Sequence, residues 1–344
     1  MVEDLDALIT LYIGLARSRS TRAGYNTAWN HWQRFVKAVP RSVLWLTVVS
    51  RQSVCGRLQS VQLQRYITYL ARKGLRSKTI RGYLNGVKQK HIHRFGVDVV
   101  GNYMLPYLLL DGIRQAELDA GITTTRKCPF TWDNAVLVAK RTNHSDILAS
   151  ELSTAISTGV GFLLRASELV TCKKTTFHLR RRDVSFTFSP TGTLLSVTIQ
   201  IKQSKTDRTV VSRTLPHAGS WYSVPALLHR WISKTEGLAD SPLFPGLTRK
   251  SLSSGIANWA LRLNLHDSGH GFASHSLRRG GATWLINNGA SPTCIQIFGR
   301  WKSDIWKGLY AQLSFESQLQ LGRAFGTLPG ASEVTTSVGA VLLC

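Results

Sequence analysis

The chain has 344 residues, 43 of them Lys or Arg and 19 Asp or Glu, which leaves a formal charge of +24 at pH 7. An excess of that size points to a polyanion, nucleic acid first, while 43% hydrophobic and 18% charged residues exclude a disordered basic tail. Five scattered cysteines exclude a disulfide framework and a zinc site, and the apolar runs are too short for a membrane span. The acidic start, with Glu3, Asp4 and Asp6, carries no secretory pattern, so a reducing, intracellular setting is expected.

Two domains are expected from the length. Between Asp6 and Asp98 there is no acidic residue, yet seventeen basic ones run from Arg17 to Arg94, whereas a merely solvated surface mixes both signs. Residues 1–122 hold 18 basic and 7 acidic side chains and the remainder 25 and 12, so both parts are expected to touch the polyanion.

The first 120 or so residues read as helices. Ser20 is the expected cap of a helix with Tyr25, Trp29, Trp32 and Val36 on its buried face and Arg22, Arg34 and Lys37 in water. A second helix carries Leu63, Tyr66, Ile67 and Leu70 before Gly74. A third, from Ser77, carries Ile80, Leu84 and Val87 before Gly96, and a fourth spans about Pro106 to Gly121. Arg22, Arg76, Lys78, Arg81 and Lys88 are the cations expected on a nucleic-acid backbone. Residues 123–127 read as a linker between this helical domain, 1–122, and a mixed domain, 128–326, followed by a tail, 327–344.

The mixed domain opens with helical patterns around 131–141 and 145–171. Period-two alternation then marks strands at Val184, Phe186 and Phe188 and at Leu195, Val197, Ile199 and Ile201, with Pro190, Thr191 and Gly192 as their turn. A third strand fits Thr209 to Leu215, across a turn holding Ser204, Lys205, Thr206 and Asp207. Helices return at about 221–234 and 250–264, and again from Ser274, a candidate N-cap. The fold class is therefore mainly α with a small antiparallel sheet.

Cutting a nucleic-acid backbone with two metal ions needs several converging carboxylates, which so acid-poor a chain disfavours. A metal-free route needs cations on the phosphate, a side-chain nucleophile and a proton donor for the leaving oxygen. His275 and Arg278 stand three apart near a helix N-terminus, where an anion is favoured. His-x-x-Arg is weak by itself and recurs at His91 and Arg94. Only the first copy has, 23 residues after its arginine, Trp301 in Gly299-Arg300-Trp301-Lys302-Ser303 and, nine further on, Tyr310. The decoy meets Glu117 and Arg126 at those offsets.

With these residues the sequence resembles the tyrosine recombinase (phage integrase) family. Arg165, in Leu164-Arg165-Ala166-Ser167-Glu168-Leu169, matches the family's first arginine, and Lys205 its β-hairpin lysine. His275 and Arg278 match the His-x-x-Arg pair, Trp301 the His-or-Trp position, and Tyr310 the nucleophile, all in the family's order. The resemblance is strong from Arg165 to Tyr310 and looser over the helical domain, which is similar to the family's core-binding domain. It implies a C-shaped clamp on double-stranded DNA and a site-specific recombinase acting through a 3′-phosphotyrosyl link without metal, ATP or cofactor. It also implies a homo-oligomer, a tetramer on two DNA sites, with a segment holding Leu319, Leu321 and Phe325 docking on a neighbour.

By the same resemblance Arg165 and Arg278 grip the scissile phosphate, Lys205 protonates the leaving 5′-oxygen, His275 assists Tyr310, and Glu168 is a supporting residue. Blander readings stand beside these: Glu168 as a purely structural partner of Arg165, Lys202 in place of Lys205, and Trp301 as core. Two other functions stay open, a type IB topoisomerase that relaxes DNA and a catalytically silent DNA-binding descendant. The Gly299–Trp306 and Leu163–Leu169 segments also look like recombinases of eukaryotic mobile elements. That would imply a nuclear location, for which Arg180, Arg181 and Arg182 offer only a short basic signal, equally a phosphate-contacting strand edge.

Overall fold

Ser18 opens the first helix, α1 (Arg19–Ala38), by accepting the Thr21 N–H on its Oγ at 3.2 Å. The cap is therefore two residues earlier than expected, and Ser20 already lies within the helix. The structure is a computed structural model that describes residues 18–47, 53–96, 98–101, 103–122, 127–172, 177–202, 210–266 and 270–304, with positions 5, 8 and 12. The chain divides into two compact units, Met1–Thr124 and Thr125–Cys344; of the expected linker at 123–127, residues 123–126 lie outside the described residues.

In the first unit α1 is joined by α2 (Val54–Arg72), α3 (Ser77–Phe95) and α4 (Leu105–Asp119). Ala28, Trp32 and Phe35 form the buried stripe of α1, and Gly86 on α3 lets the two helices cross closely, because a Cβ there would meet Ala28. Gly74 and Gly96 take the left-handed conformation that ends α2 and α3, as the sequence predicts. Glu117 on α4 accepts the backbone N–H and the hydroxyl of Ser77, at 2.7 and 2.6 Å, securing the start of α3. The decoy histidine is structural: His91 is buried, its Nε2 accepting the Leu46 N–H at 2.9 Å while Nδ1 lies 2.8 Å from the Val87 carbonyl.

The second unit is organised around α6 (Ile147–Gly161), which follows α5 (Trp132–Arg141) and is buried from Ser150 through Val160 save for the half-buried Leu152. Its small residues, Ser153, Thr154, Ala155, Ser157 and Gly159, let neighbours approach on every side. After a short helix, α7 (Ala166–Leu169), come β1 (Val184–Phe188), β2 (Leu194–Ile201) and β3 (Val211–Pro216), an antiparallel sheet in that order. Ile199 pairs with both Val184 and Arg213, and a register shift falls at Thr187/Phe188. Val197, Ile199 and Ile201 bury one face of β2 in the core shared with α8 (Val224–Lys234). The chain closes with α9 (Arg249–Arg262), α10 (Ser274–Asn287) and α11 (Pro292–Gly299).

The basic triplet is neither a free basic signal nor a bare phosphate-contacting edge. Arg181 donates to the Ile232 and Thr235 carbonyls that end α8, while Arg180 and Arg182 both pair with Asp240. Among the described residues no helix is long and apolar enough to cross a membrane.

Helix α10 is fixed by two glycines. A Cβ on Gly280 would collide with the backbone of Phe130, and one on Gly281 with the Val160 carbonyl. The Phe130 N–H donates to the Ser276 carbonyl at 2.9 Å, locking the same contact. Gly280→Ala should therefore cost about 3 kcal/mol or more and lower Tm by roughly 6–12 °C. Gly82→Ala, in open space on α3, should raise stability by about 0.5–1 kcal/mol. Thermal denaturation of the two variants checks both.

Candidate active site

The segment expected as one helix over 145–171 is broken. Helix α6 stops at Gly161, Leu163 takes a left-handed φ of 50°, and α7 starts only at Ala166. Arg165 consequently stands at the N-cap of α7. Glu168, three residues on, turns back so that Oε2 accepts the Arg165 backbone N–H at 2.8 Å and Oε1 accepts Arg165 Nη1 at 2.8 Å. The carboxylate is 2% exposed and the Arg165 side chain 24%, so the guanidinium reaches solvent from an internal anchor.

Ala273, with no side chain to offer, is the N-cap of α10, and Ser274 is its first residue, not the cap. Ser276 takes over by accepting the Ala273 N–H on Oγ at 3.0 Å. His275 is exposed, whereas Arg278, one turn on, is 1% exposed. Arg278 Nη1 donates to the Leu163 carbonyl at 2.6 Å and Nη2 to the Gly299 carbonyl, and its guanidinium carbon lies 4.5 Å from the centroid of the Trp301 ring. Loss of hydration around the packed side of His275, followed by the charges of Arg249, Arg278 and Arg165, lowers its pKa below the usual 6.5. The imidazole is therefore neutral at pH 7 and able to accept a proton.

The sequence reading of helix from Ser274 onward does not set α11 apart from α10. Pro292 and Gly299 bound only eight residues, too few for periodicity to register. Its last carbonyls meet cations: Arg213 on β3 donates to Ile297 at 2.7 Å and to Phe298 at 3.2 Å, and Arg278 donates to Gly299. Gly299 must lack a side chain because the Trp301 ring occupies that space. Trp301 is thus both packed against the small core of Leu163, Ala282 and Ile295 and laid over Arg278.

Between them Arg300 ends α11 at φ 59°, ψ 43°. That conformation costs an L-residue with a Cβ roughly 1–2 kcal/mol, which glycine avoids. Its side chain, 6% exposed, donates from Nη2 to Glu168 Oε2 at 2.9 Å. Nε and Nη1 are buried without a hydrogen-bond partner among the described residues. Burial alone would raise the pKa of Glu168. The Arg300 charge, then the Arg165 N–H, then the charges of Arg165 and Arg278 outweigh it and hold the carboxyl below its usual 4.5.

The structure therefore gathers Arg165, Glu168, Arg278 and Trp301 directly, with His275 in the field of the two arginines. Lys205 and Tyr310 lie outside the described residues. Lys202, the rival of Lys205, is ion-paired with the buried Asp183. Among the expected backbone-binding cations, Arg22, Arg76 and Lys78 are exposed, Arg81 pairs with Asp111 at 2.7 Å, and Lys88 pairs with Asp98. Sequence reasoning missed Arg300, Arg213 and Arg249. Only Arg300 left a trace, an arginine directly after Gly299 at the point where a helix ends.

Solved structures share this architecture. The XerH site-specific recombinase bound to palindromic difH substrate, a post-cleavage complex, has a TM-score of 0.58 at 16% identity, over 89% of this chain and 79% of that one. The Tn1549 transposon integrase in complex with transposon right end DNA gives 0.51 at 15%, over 90% and 95%. A lambda integrase dimer bound to a COC′ core site gives 0.51 at 14%, over 91% and 95%. The fold is that of a tyrosine recombinase. The model of the phage integrase family matches residues 138–317, half of the chain, and the chain belongs to that family as a recombinase enzyme. A comparison with curated proteins finds no match.

The ring of His275 should titrate with a midpoint below 6.5, and Arg249→Ala should move that midpoint upward by removing the largest charge acting on it. NMR of the imidazole resonances across pH checks both.

Proposed function

We propose that the protein is a site-specific recombinase that cleaves and rejoins double-stranded DNA through a covalent bond between Tyr310 and a 3′-phosphate. The observation that carries this reading is the convergence of Arg165, His275, Arg278 and Trp301, from three separate chain segments, within a family match that also spans Lys205 and Tyr310.

The chemistry follows from the groups present. Tyr310 Oη attacks phosphorus, the P–O5′ bond breaks with its electron pair going to O5′, and Lys205 protonates that oxygen. His275, neutral at pH 7, takes or shares the phenolic proton. Arg165, anchored by Glu168 and open to solvent, grips a non-bridging oxygen; an arginine in that role is worth roughly 10³ to 10⁵ in rate. Arg278 adds its charge from beneath and grips the phosphate directly once one of its two carbonyls is released. One phosphodiester replaces another, so rejoining by a 5′-hydroxyl needs no external energy source. Exchange between two duplexes calls for an assembly of protomers, a tetramer on two sites.

Wild-type protein should form a covalent adduct on a duplex nicked near the scissile phosphate, and Tyr310→Phe should form none. An adduct with the Phe variant assigns the nucleophile elsewhere; DNA binding without any adduct supports a silent descendant, and relaxation by monomers without recombinants supports the topoisomerase reading. Arg22→Ala and Lys78→Ala should each weaken binding for any sequence and reduce the salt slope of log K by about one, measured by titration at several salt concentrations.

A further inference from the structure

We propose that Arg300 is a positioning residue of the cleavage site: by holding the Glu168 oxygen that the Arg165 guanidinium does not use, it fixes the direction in which that guanidinium meets the phosphate. The inference rests on the cleavage reading above.

Three observations carry it. First, Glu168 divides its oxygens between the two arginines, Oε1 to Arg165 Nη1 at 2.8 Å and Oε2 to Arg300 Nη2 at 2.9 Å, with the Arg165 backbone N–H also on Oε2. A carboxylate tied at both oxygens cannot rotate, so the guanidinium bonded to it keeps one orientation. Second, Arg300 is poorly suited to a purely stabilising role. Its backbone sits at φ 59°, where glycine is at ease, and Nε and Nη1 are buried without a partner among the described residues. An outlier of this kind beside reacting groups is strain retained for function. Third, the charges match the reaction. Arg165, Arg278 and Arg300 against Glu168 leave two positive charges, suited to a phosphate whose negative charge grows as the fifth oxygen ligand arrives.

The charged groups acting on Glu168 are Arg165 before α7, Arg278 on α10 and Arg300 after α11, and Arg300 is the strongest of them. Removing it raises the pKa of Glu168, so the carboxylate is neutralised at a higher pH and releases Arg165 there.

The test uses the full chain and a nicked duplex in single turnover, with Tyr310→Phe as the blank. Arg300→Gly, which relieves the backbone strain, should slow adduct formation by about 10²-fold while DNA affinity stays within about twofold of wild type. Its acid limb should move to higher pH. Arg300→Lys should restore part of the rate, and Glu168→Gln should be slow by itself and little slower when combined with Arg300→Gly. A thermal melt shows that each variant is folded. An independent arm follows the Arg165 Nε–H resonance in free protein, identified by its loss in Arg165→Lys; it should broaden or exchange faster in Arg300→Gly. Wild-type rate in Arg300→Gly across the pH range, or a rate loss matched by lost affinity, overturns the proposal. If wild type itself forms no adduct, the cleavage reading falls, and an unchanged Arg165 resonance then overturns the positioning role as well.

Discussion

A guanidinium withdrawn from water must find acceptors, and Arg278 finds them at the two places where the helical framework of the second unit is interrupted. One is the Leu163 carbonyl, exposed by the left-handed break between α6 and α7; the other is the Gly299 carbonyl, left over at the end of α11. A buried polar group left without its partner costs about 1–3 kcal/mol, and more where the group is charged. The same guanidinium then draws Trp301 onto its face. Two helix ends and an aromatic ring thus owe their positions to one side chain on α10.

Around that clamp the remaining charges are arranged by depth. Glu168, nearly inaccessible, is neutralised by arginines on two sides, and only Arg165 extends from this group towards solvent. Arg213 performs the parallel task on the far side of α11, covering the carbonyls of Ile297 and Phe298. The cationic character of the site is therefore largely internal bookkeeping. All four arginines involved, Arg165, Arg213, Arg278 and Arg300, are bonded to carbonyls or to Glu168, and of the two that hold Glu168 only Arg165 also reaches towards solvent.

Much of this was legible in the sequence. The α3 boundaries followed from Ser77 and Gly96 and the strands from period two around a glycine turn; spacing singled out His275, Arg278 and Trp301, and the family resemblance added Arg165, the four residues that the second unit brings together. What escaped depended on long-range geometry. The break at Leu163 is invisible in an apolar run, since a left-handed leucine is held there by an arginine 115 residues away. Arg180, Arg181 and Arg182 look like a free basic patch until Asp240 and the end of α8 are brought beside them. Arg300 was passed over because its partner, Glu168, lies 132 residues back. Ser20 and Ser274 were misplaced as caps by short distances, where two or three serines compete for the same backbone donors.

The paired glycines of α10 have a consequence for how this protein can be altered. Because Gly280 and Gly281 press the helix against backbone on both sides, α10 cannot slide or rotate in small steps; a shift of one residue would turn Arg278 outward and bury a neighbour with no acceptors waiting. Any change in what the site accepts must come from side chains on exposed faces and from loops, while this helix acts as the datum from which every other part of the site is measured.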